Sequence, residues 1–237
     1  LPYNIHILSQ ISIVYYNFRK YDFSKNKFDE LLTIDPYRID LMDIYGNILY
    51  VKELRKELSY LAHKCISLNK YRPETCCIIG NYYGMYGMHE KAILYFERAL
   101  KLNSNYISVY ILMGHEYIEL RNTPAAINCY RKSIDKNPND YRAWYGLGQT
   151  YELLQMYSYS IYYYKYVCKM RPFDSRMWSA LGQSYENLGD INNSIKSFKR
   201  AQLNNFDNNN DDFIMNSLPT IKLAQLYNES NQLNLSF

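Results

Sequence analysis

The sequence predicts an all-α fold, a right-handed superhelical solenoid of antiparallel helix pairs, and three observations support this prediction. Apolar residues recur at helical spacing, the same small and aromatic residues return every 34 positions, and prolines interrupt the pattern near the expected helix ends. One helix pair cannot bury its apolar face alone. Neighbouring pairs must therefore stack so that a continuous core forms between them.

One stretch carries the clearest repeat signal. Trp144, Leu147 and Tyr151 stand at i, i+3 and i+7, so they share one face of a helix. Gly148 lies on the same face and lets a neighbouring helix approach closely, a contact that must outweigh the roughly 1 kcal/mol cost of a mid-helix glycine. Pro172 ends the second helix, because proline lacks an N–H and disfavours helix at the preceding residue. This W-x2-L-G-x2-Y pattern is typical of the tetratricopeptide repeat.

The repeat register divides the chain into three parts. Six tetratricopeptide repeats are predicted over residues 1–203, in units that start near residues 5, 39, 73, 107, 141 and 175. The Asn-rich stretch 204–216 breaks the register and is predicted to be an insertion loop. Helical spacing resumes over 217–237, which is predicted to be a partial seventh repeat. Because Leu1 is not a methionine and its neighbours already fit a repeat, we expect the chain to be part of a longer protein.

Composition and charge argue against several classes of partner. The 27 Lys and Arg residues and 23 Asp and Glu residues give a net charge of +4, and the basic residues are scattered. Nucleic-acid binding usually needs a clustered basic surface, so we expect no nucleic-acid partner. No stretch approaches the roughly 18 apolar residues of a transmembrane helix, so we expect no membrane association. The five cysteines form no CxxC pair, which favours reduced thiols in a nuclear and cytoplasmic protein.

The sequence contains no convincing catalytic or metal-binding pattern. The four histidines fall in different predicted helix pairs, and none begins an HExxH motif. Cys76 and Cys77 are adjacent and have no base beside them in the motif, which a cysteine nucleophile needs. We therefore expect no enzyme activity, no catalytic residue, no bound metal and no cofactor.

A peptide-binding groove is the functional site that the register favours. In repeats of this family the first helix of each unit lines the concave surface. On or beside that face lie carboxylates, amides, an imidazole and a tyrosine: Glu74, Asn81, His115, Glu119, Tyr145, Gln149 and Glu152. Their acceptor oxygens suit the forked donors of an arginine in an extended peptide, and Tyr145 offers a stacking surface. The alternative is that they are ordinary solvated residues of a helix face.

Several stretches go beyond the pattern of a generic repeat. They are Glu74–Tyr83, His89–Asn103, Leu112–Tyr117 and Asp140–Glu152, with shorter stretches at Leu1–Asn4 and Asp35–Arg38. Together they resemble the anaphase-promoting complex subunit 8 family. The resemblance covers the chain to about Ala201. It implies a non-catalytic scaffold in a multisubunit mitotic ubiquitin ligase, in which other subunits carry out catalysis.

The resemblance also implies partners. These are the other subunits of the complex and an arginine-containing peptide of the activator protein, received in the groove of the C-terminal repeats. Family members form homodimers through N-terminal repeats, which we expect this chain to lack. The alternative function is that of a generic tetratricopeptide-repeat adaptor that binds another protein or a chaperone. Co-purification with cullin-like and RING-like subunits would distinguish the two.

Overall fold

The computed structural model describes residues 4–207 and 213–229. Over these residues the secondary structure consists of thirteen α-helices and contains no strand, which confirms the all-α prediction. The helices are α1 Ile5–Asn17, α2 Tyr21–Ile34, α3 Met42–Val51, α4 Arg55–Asn69, α5 Pro73–Met85, α6 His89–Leu102, α7 Ser108–Glu119, α8 Thr123–Lys136, α9 Tyr141–Leu153, α10 Tyr157–Met170, α11 Ser175–Leu188, α12 Ile191–Asp207 and α13 Phe213–Glu229.

The helices form two compact units. Unit 1 comprises residues 1–122 and contains α1 to α7, while unit 2 comprises residues 123–237 and contains α8 to α13. Within each unit, consecutive helices pack as pairs and each pair contacts the next one. The boundary between the units falls inside the predicted fourth repeat, between its first and second helix.

The turn inside each helix pair repeats with the same period as the sequence. Six residues with positive φ lie 34 positions apart, and each closes the turn after a first helix: Arg19, Glu53, Gly87, Arg121, Gln155 and Gly189. A left-handed residue at this position lets the backbone turn sharply while its N–H groups still reach the last carbonyls of the helix. Only two of the six are glycine, so residue identity does not reveal this regularity.

The starts of several first helices are fixed by side-chain caps. The side chains of Asp140 and Asp174 accept hydrogen bonds from the backbone N–H groups of Arg142 and Arg176 at the starts of α9 and α11. Such a cap satisfies one of the unpaired N–H groups of the first helical turn and typically stabilises a helix by about 1 kcal/mol. The two caps are one repeat apart, so the boundary between repeats is specified locally.

Close contact between a glycine and an aromatic ring joins the two helices of a pair. The pairs are Gly80 with Phe96, Gly148 with Tyr164, and Gly182 with Phe198. A Cβ atom added at Gly148 would lie 2.4 Å from a ring carbon of Tyr164, which is closer than real atoms approach. The predicted close approach at Gly148 is therefore correct, and the group that needs the space is a buried ring of the second helix.

Trp144 has a different role from the rest of the predicted core face. Leu147 and Tyr151 are buried, whereas Trp144 is only partly buried. Its Nε1–H donates to the Pro138 carbonyl at 2.9 Å, and its ring centroid lies 4.2 Å from that of Tyr166. Trp144 therefore secures the turn between two repeats and contributes less to the core than its position on the face predicts.

The predicted insertion loop is shorter than its assigned range of 204–216. Helix α12 continues to Asp207 and α13 already begins at Phe213, so the prediction was wrong at both ends. Asn204 explains part of the extension, since its Nδ2 group donates to the Pro172 carbonyl at 2.9 Å and ties this end of α12 to the preceding turn. The remaining residues, 208–212, lie outside the described part of the chain.

The partial seventh repeat predicted at 217–237 corresponds in part to α13. Leu223, Leu226 and Tyr227 of this helix are buried and share a core cluster with Phe198 of α12. A further helix therefore packs against α12 beyond the break in the register. Residues 230–237 lie outside the described residues.

We expect Gly148→Ala to be destabilising by about 1–3 kcal/mol through overpacking, despite the better helix propensity of alanine. In a Tyr164→Leu background the clash is removed, so the same substitution should become neutral or stabilising. Urea unfolding of the wild type, the two single variants and the double variant measures the coupling between Gly148 and Tyr164. An identical effect of Gly148→Ala in both backgrounds would show that the ring does not require the glycine.

A second prediction concerns the left-handed turns. Gly189 has φ +86° with nothing within 4 Å of an added Cβ, so Gly189→Ala should be destabilising by about 1 kcal/mol from backbone strain alone. Gln155→Gly at the matching turn, where φ is +58°, relieves strain but adds backbone freedom and should be neutral or slightly stabilising. Thermal midpoints of both variants check this. A Gly189→Ala protein as stable as the wild type would contradict it.

Candidate peptide-binding surface

The predicted groove residues are distributed over both units. Unit 1 holds Glu74, Asn81, His115 and Glu119, whereas unit 2 holds Tyr145, Gln149 and Glu152. All seven belong to first helices of their repeats, namely α5, α7 and α9. The register therefore assigned the correct helices, and the structure adds how accessible each side chain is.

Asn81 is enclosed within unit 1, in contrast to the exposed position that the sequence pattern predicts. It is 2% exposed, and its Nδ2 group donates to the Asn47 Oδ1 atom at 2.5 Å. Asn47 lies on α3, one repeat earlier, so this amide pair links two successive first helices. A buried amide without such a partner would be costly, which explains why both positions carry asparagine.

Glu74 lies in the first turn of α5 and is partly buried. Its Oε2 atom lies 3.3 Å from the Arg72 Nε atom, while Arg72 Nη2 also donates to Asp40 at 2.5 Å. A carboxylate in a first helical turn interacts favourably with the helix dipole. Glu74 is therefore positioned by its helix and by an arginine of its own chain.

A buried acidic cluster beside Glu74 was missed by sequence reasoning. Asp43 on α3 is 9% exposed, and the burial raises its pKa although a hydrogen bond from Tyr106 opposes the shift. Cys77 on α5 is 1% exposed, and burial raises the pKa of its thiol well above the usual value. The sequence pattern predicts that Cys77 faces the groove, whereas the structure buries it. The cluster escaped notice because its members come from different repeats.

Sequence reasoning selected His115 on α7, but the buried polar residue is its neighbour Glu116. Glu116 is 4% exposed and its Oε2 atom lies 2.7 Å from the His89 Nδ1 atom on α6. Burial raises the pKa of Glu116, and the hydrogen bond with His89 opposes that shift. Gly84 on α5 leaves room for this pair, because a Cβ there would lie 2.6 Å from the Glu116 Oε1 atom.

His115 and Glu119 are both exposed and stand one helical turn apart on α7. Residues at i and i+4 lie on the same helix face. An imidazole and a carboxylate are thus presented side by side at the surface of unit 1. They are the accessible members of the predicted set in this unit.

The three predicted residues of unit 2 lie close together. Tyr145, Gln149 and Glu152 stand at i, i+4 and i+7 of α9 and are all partly buried. The Glu152 Oε2 atom accepts a hydrogen bond from the Tyr164 hydroxyl at 2.8 Å, and the Tyr145 ring centroid lies 5.5 Å from that of Tyr164. Burial raises the pKa of Glu152, and the Tyr164 hydrogen bond opposes the shift. Tyr164 thus contacts both the carboxylate acceptor of Glu152 and the aromatic ring of Tyr145.

Within the described ranges no group of three or more His, Cys, Asp or Glu side chains is placed to hold a metal ion. All five cysteines are buried, and none of them forms a disulfide. No described helix is both long enough and apolar enough to cross a membrane.

Comparison with known families confirms the repeat class. Models described as tetratricopeptide repeat match residues 73–106 and 175–208, and one described as TPR repeat matches residues 114–155. Together with the helix pairs and the 34-residue turn spacing, these matches show that the chain is built from tetratricopeptide repeats.

The chain is also similar to particular proteins over part of its length. It is 51% identical to anaphase-promoting complex subunit 8 of Arabidopsis thaliana over 69 residues, which are 29% of this chain and 12% of that protein. It is 54% identical over 58 residues to the cell division cycle protein 23 homolog of Homo sapiens, covering 24% of this chain and 10% of that protein. These matches confirm the resemblance to the subunit 8 family, and each spans only about a tenth of the relative.

Two solved structures share the fold. A crystal structure of the APC/C hetero-tetramer Cut9-Hcn1 superimposes with a TM-score of 0.82 at 16% identity, covering 97% of this chain and 44% of that one. The MamA protein gives a TM-score of 0.52 at 19% identity, covering 86% of this chain and 92% of its own. At these identities the likeness establishes the fold alone.

The raised pKa of Glu116 predicts a pH dependence of folding. The folded state holds the Glu116 proton more tightly than the unfolded chain, so this group destabilises the fold as pH rises through the raised pKa. The wild type should therefore lose stability relative to Glu116→Gln as pH rises above the ordinary pKa of glutamate, about 4.3. Urea unfolding at a series of pH values measures the difference. Glu119→Gln removes an exposed carboxylate and serves as the control, and a pH slope equal to that of Glu116→Gln would contradict the assignment.

Proposed function

We propose that this chain forms tetratricopeptide repeats of an anaphase-promoting complex subunit of the subunit 8 kind and acts there as a non-catalytic scaffold. The observation that carries the proposal is the identity of about half of the residues with subunit 8 proteins over a matched segment. Stacked helix pairs offer extended surfaces that suit protein binding. In this proposal the other subunits of the complex are the partners, and catalysis belongs to them.

The proposal carries two further expectations about the whole protein. It should self-associate through N-terminal repeats, and it should occur in the nucleus and the cytoplasm. Both come from the resemblance to the family.

Within this function we infer that the first-helix face receives an extended activator peptide that carries an arginine. In unit 1 the accessible groups are His115 and Glu119, with Glu74 partly buried. In unit 2 the Glu152 carboxylate and the Tyr145 ring are supported by the same Tyr164 side chain. A carboxylate can accept two parallel hydrogen bonds from a guanidinium, while a tyrosine ring can stack against it. Asn81 would act indirectly, by holding α5 against α3.

Affinity purification from a mitotic extract tests the scaffold function. We expect cullin-like and RING-like subunits to be recovered with this chain and to be absent when a bacterial tetratricopeptide-repeat protein is the bait. Recovery of chaperones or unrelated proteins in their place would favour the generic adaptor and overturn the proposal.

Titration with a labelled arginine-containing activator peptide tests the surface in each unit separately. Glu119→Ala probes unit 1 and Glu152→Ala probes unit 2, and loss of a desolvated carboxylate partner should weaken binding by roughly 2–5 kcal/mol. Replacing the peptide arginine with lysine should also weaken binding, because lysine cannot form the forked hydrogen bonds.

A matched variant separates structure from contact in unit 2. Tyr164→Phe removes the hydroxyl that donates to Glu152 but keeps the buried ring beside Gly148. It should weaken binding less than Glu152→Ala does. Equal affinities of wild type, Glu119→Ala and Glu152→Ala, all with intact helical content, would place the peptide site elsewhere.

A further inference from the structure

Positive charge is concentrated on the second helices of unit 2. Helix α8 carries three basic residues, α10 carries two, and α12 carries three, whereas the acidic residues of these helices are Asp135 and Asp207. The net charge of the whole chain is only +4. The basic surface is therefore local, and the even spread expected from the sequence does not hold in this unit.

A groove opens within this basic surface between α10 and α12. It has a volume of about 350 Å³. Lys165 and Lys169 of α10 and Arg200 of α12 line its sides, and Trp178 and Leu181 of α11 contribute apolar surface. All three basic side chains are exposed. Because the aliphatic stems of lysine and arginine also pack against apolar groups, the groove combines an apolar interior with a cationic rim.

Arg200 is held in place by the aromatic residue beneath it. Its guanidinium carbon lies 4.5 Å from the Trp178 ring centroid. The Trp178 Nε1–H donates to the Pro172 carbonyl at 2.8 Å, and Asn204 donates to the same oxygen at 2.9 Å. A guanidinium stacked on a ring keeps its N–H groups in the plane and available for an anion. Arg200 therefore needs little reorganisation to bind one.

The rim cations are not neutralised by carboxylates of the described residues. Lys165, Lys169 and Arg200 form none of the salt bridges found in that part of the chain. Lys165 does contribute to lowering the pKa of Asp190, after the larger effects of hydrogen bonds from Asn193 and of Lys196. The groove thus presents to a ligand three cations that take part in none of the described salt bridges.

The equivalent groove one repeat earlier shows that packing does not require this charge. The positions of Lys165, Lys169 and Arg200 correspond there to Arg131, Asp135 and Tyr166. The Tyr166 ring packs at a tilt against Trp144 with ring centroids 4.2 Å apart, at the position where Arg200 lies over Trp178. A flat group thus covers the tryptophan in both repeats. A cation there, flanked by two lysines, is particular to the groove between α10 and α12.

We propose that this groove docks an acidic segment of a partner protein, an extended stretch with several carboxylates and an apolar side chain. The carboxylates would pair with Arg200 and the two lysines, while the apolar side chain would pack on Trp178 and Leu181. Opposite charge across an interface favours rapid and specific association. The cations of this surface belong to the second helices, whereas the arginine-peptide surface is formed by first helices.

The groove binds without reacting. Cys168 lines it, but burial raises the pKa of its thiol to about 12, despite an opposing effect of Arg200. A protonated thiol is a poor nucleophile at neutral pH. The site therefore offers recognition of an acidic segment and no covalent chemistry.

Fluorescence anisotropy with the whole chain tests the proposal. The probe is a fluorescein-labelled peptide of repeated Glu-Asp-Leu triplets, and its Gln-Asn-Leu counterpart is the neutral control. The wild type should bind the acidic probe at low salt, bind the neutral probe much more weakly, and lose affinity as salt screens the charges. Absence of binding to the acidic probe at low salt would overturn the proposal.

Two matched variants localise the binding. The groove variant combines Lys165→Gln, Lys169→Gln and Arg200→Gln, and the control variant combines Arg131→Gln, Lys132→Gln and Lys136→Gln. Both remove three positive charges from second helices of the same unit. The groove variant should weaken binding about tenfold and the control should have little effect. Equal weakening by both variants would mean a diffuse electrostatic attraction and overturn the site.

Two further measurements secure the interpretation. Should loss of Arg200 disturb folding, the pair Lys165→Gln and Lys169→Gln alone should still weaken binding, with helical content and melting temperature unchanged. An oligouridylate that bound more tightly than the acidic peptide, with the same dependence on the groove residues, would indicate a nucleic-acid site and overturn the protein-segment assignment. The groove variant should leave binding of the arginine peptide unchanged.

Discussion

The contact between a first-helix glycine and a second-helix aromatic ring is the constraint on which three of the repeats depend. At Gly148 and Gly80 a single added carbon would lie 2.4 Å from the ring, so the distance between the two helices is set by the absence of a side chain. Burial of a whole aromatic side chain contributes far more than the roughly 1 kcal/mol that glycine costs in a helix. Once this contact fixes the helix pair, the remaining faces are determined. One face of the first helix must meet the neighbouring repeat, and another is left for polar residues.

Sequence reasoning identified this constraint because it involves recognisable residue types at a fixed spacing. It could not identify features that depend on conformation or on neighbours from other repeats. The left-handed turns recur every 34 residues, but Glu53 and Gln155 give no sign of positive φ in the sequence. Asn81 has the register of a groove residue, yet its amide is enclosed by a partner from the preceding repeat. A register predicts which helix face a side chain occupies. It does not predict what else shares that face.

The acidic residues of unit 1 illustrate the same distinction in energetic terms. Glu116 is removed from water and its carboxyl group is hydrogen-bonded to His89, so it is committed to the fold. Glu119 is one turn nearer the end of the helix and remains exposed. Removing the partner of a buried polar group leaves that group unsatisfied and is destabilising, whereas an exposed carboxylate contributes little to stability. Glu116 therefore belongs to the structure, while Glu119 is available to a ligand.

The second helices of unit 2 have inner positions that the fold restricts and outer positions that it does not. Their inner positions are restricted to the aromatic and small residues that fit against the first helices, as Tyr164 and Phe198 do. Their outer positions face no such restriction, and exposed charges there add almost nothing to folding stability. A clustering of cations on this surface consequently has no explanation in the fold itself, and self-repulsion would if anything disfavour it. Arg200 lies over Trp178, whereas Tyr166 packs against Trp144 one repeat earlier without a charge. The packing therefore does not require a cation. A binding partner can account for this clustering of cations, which folding does not require.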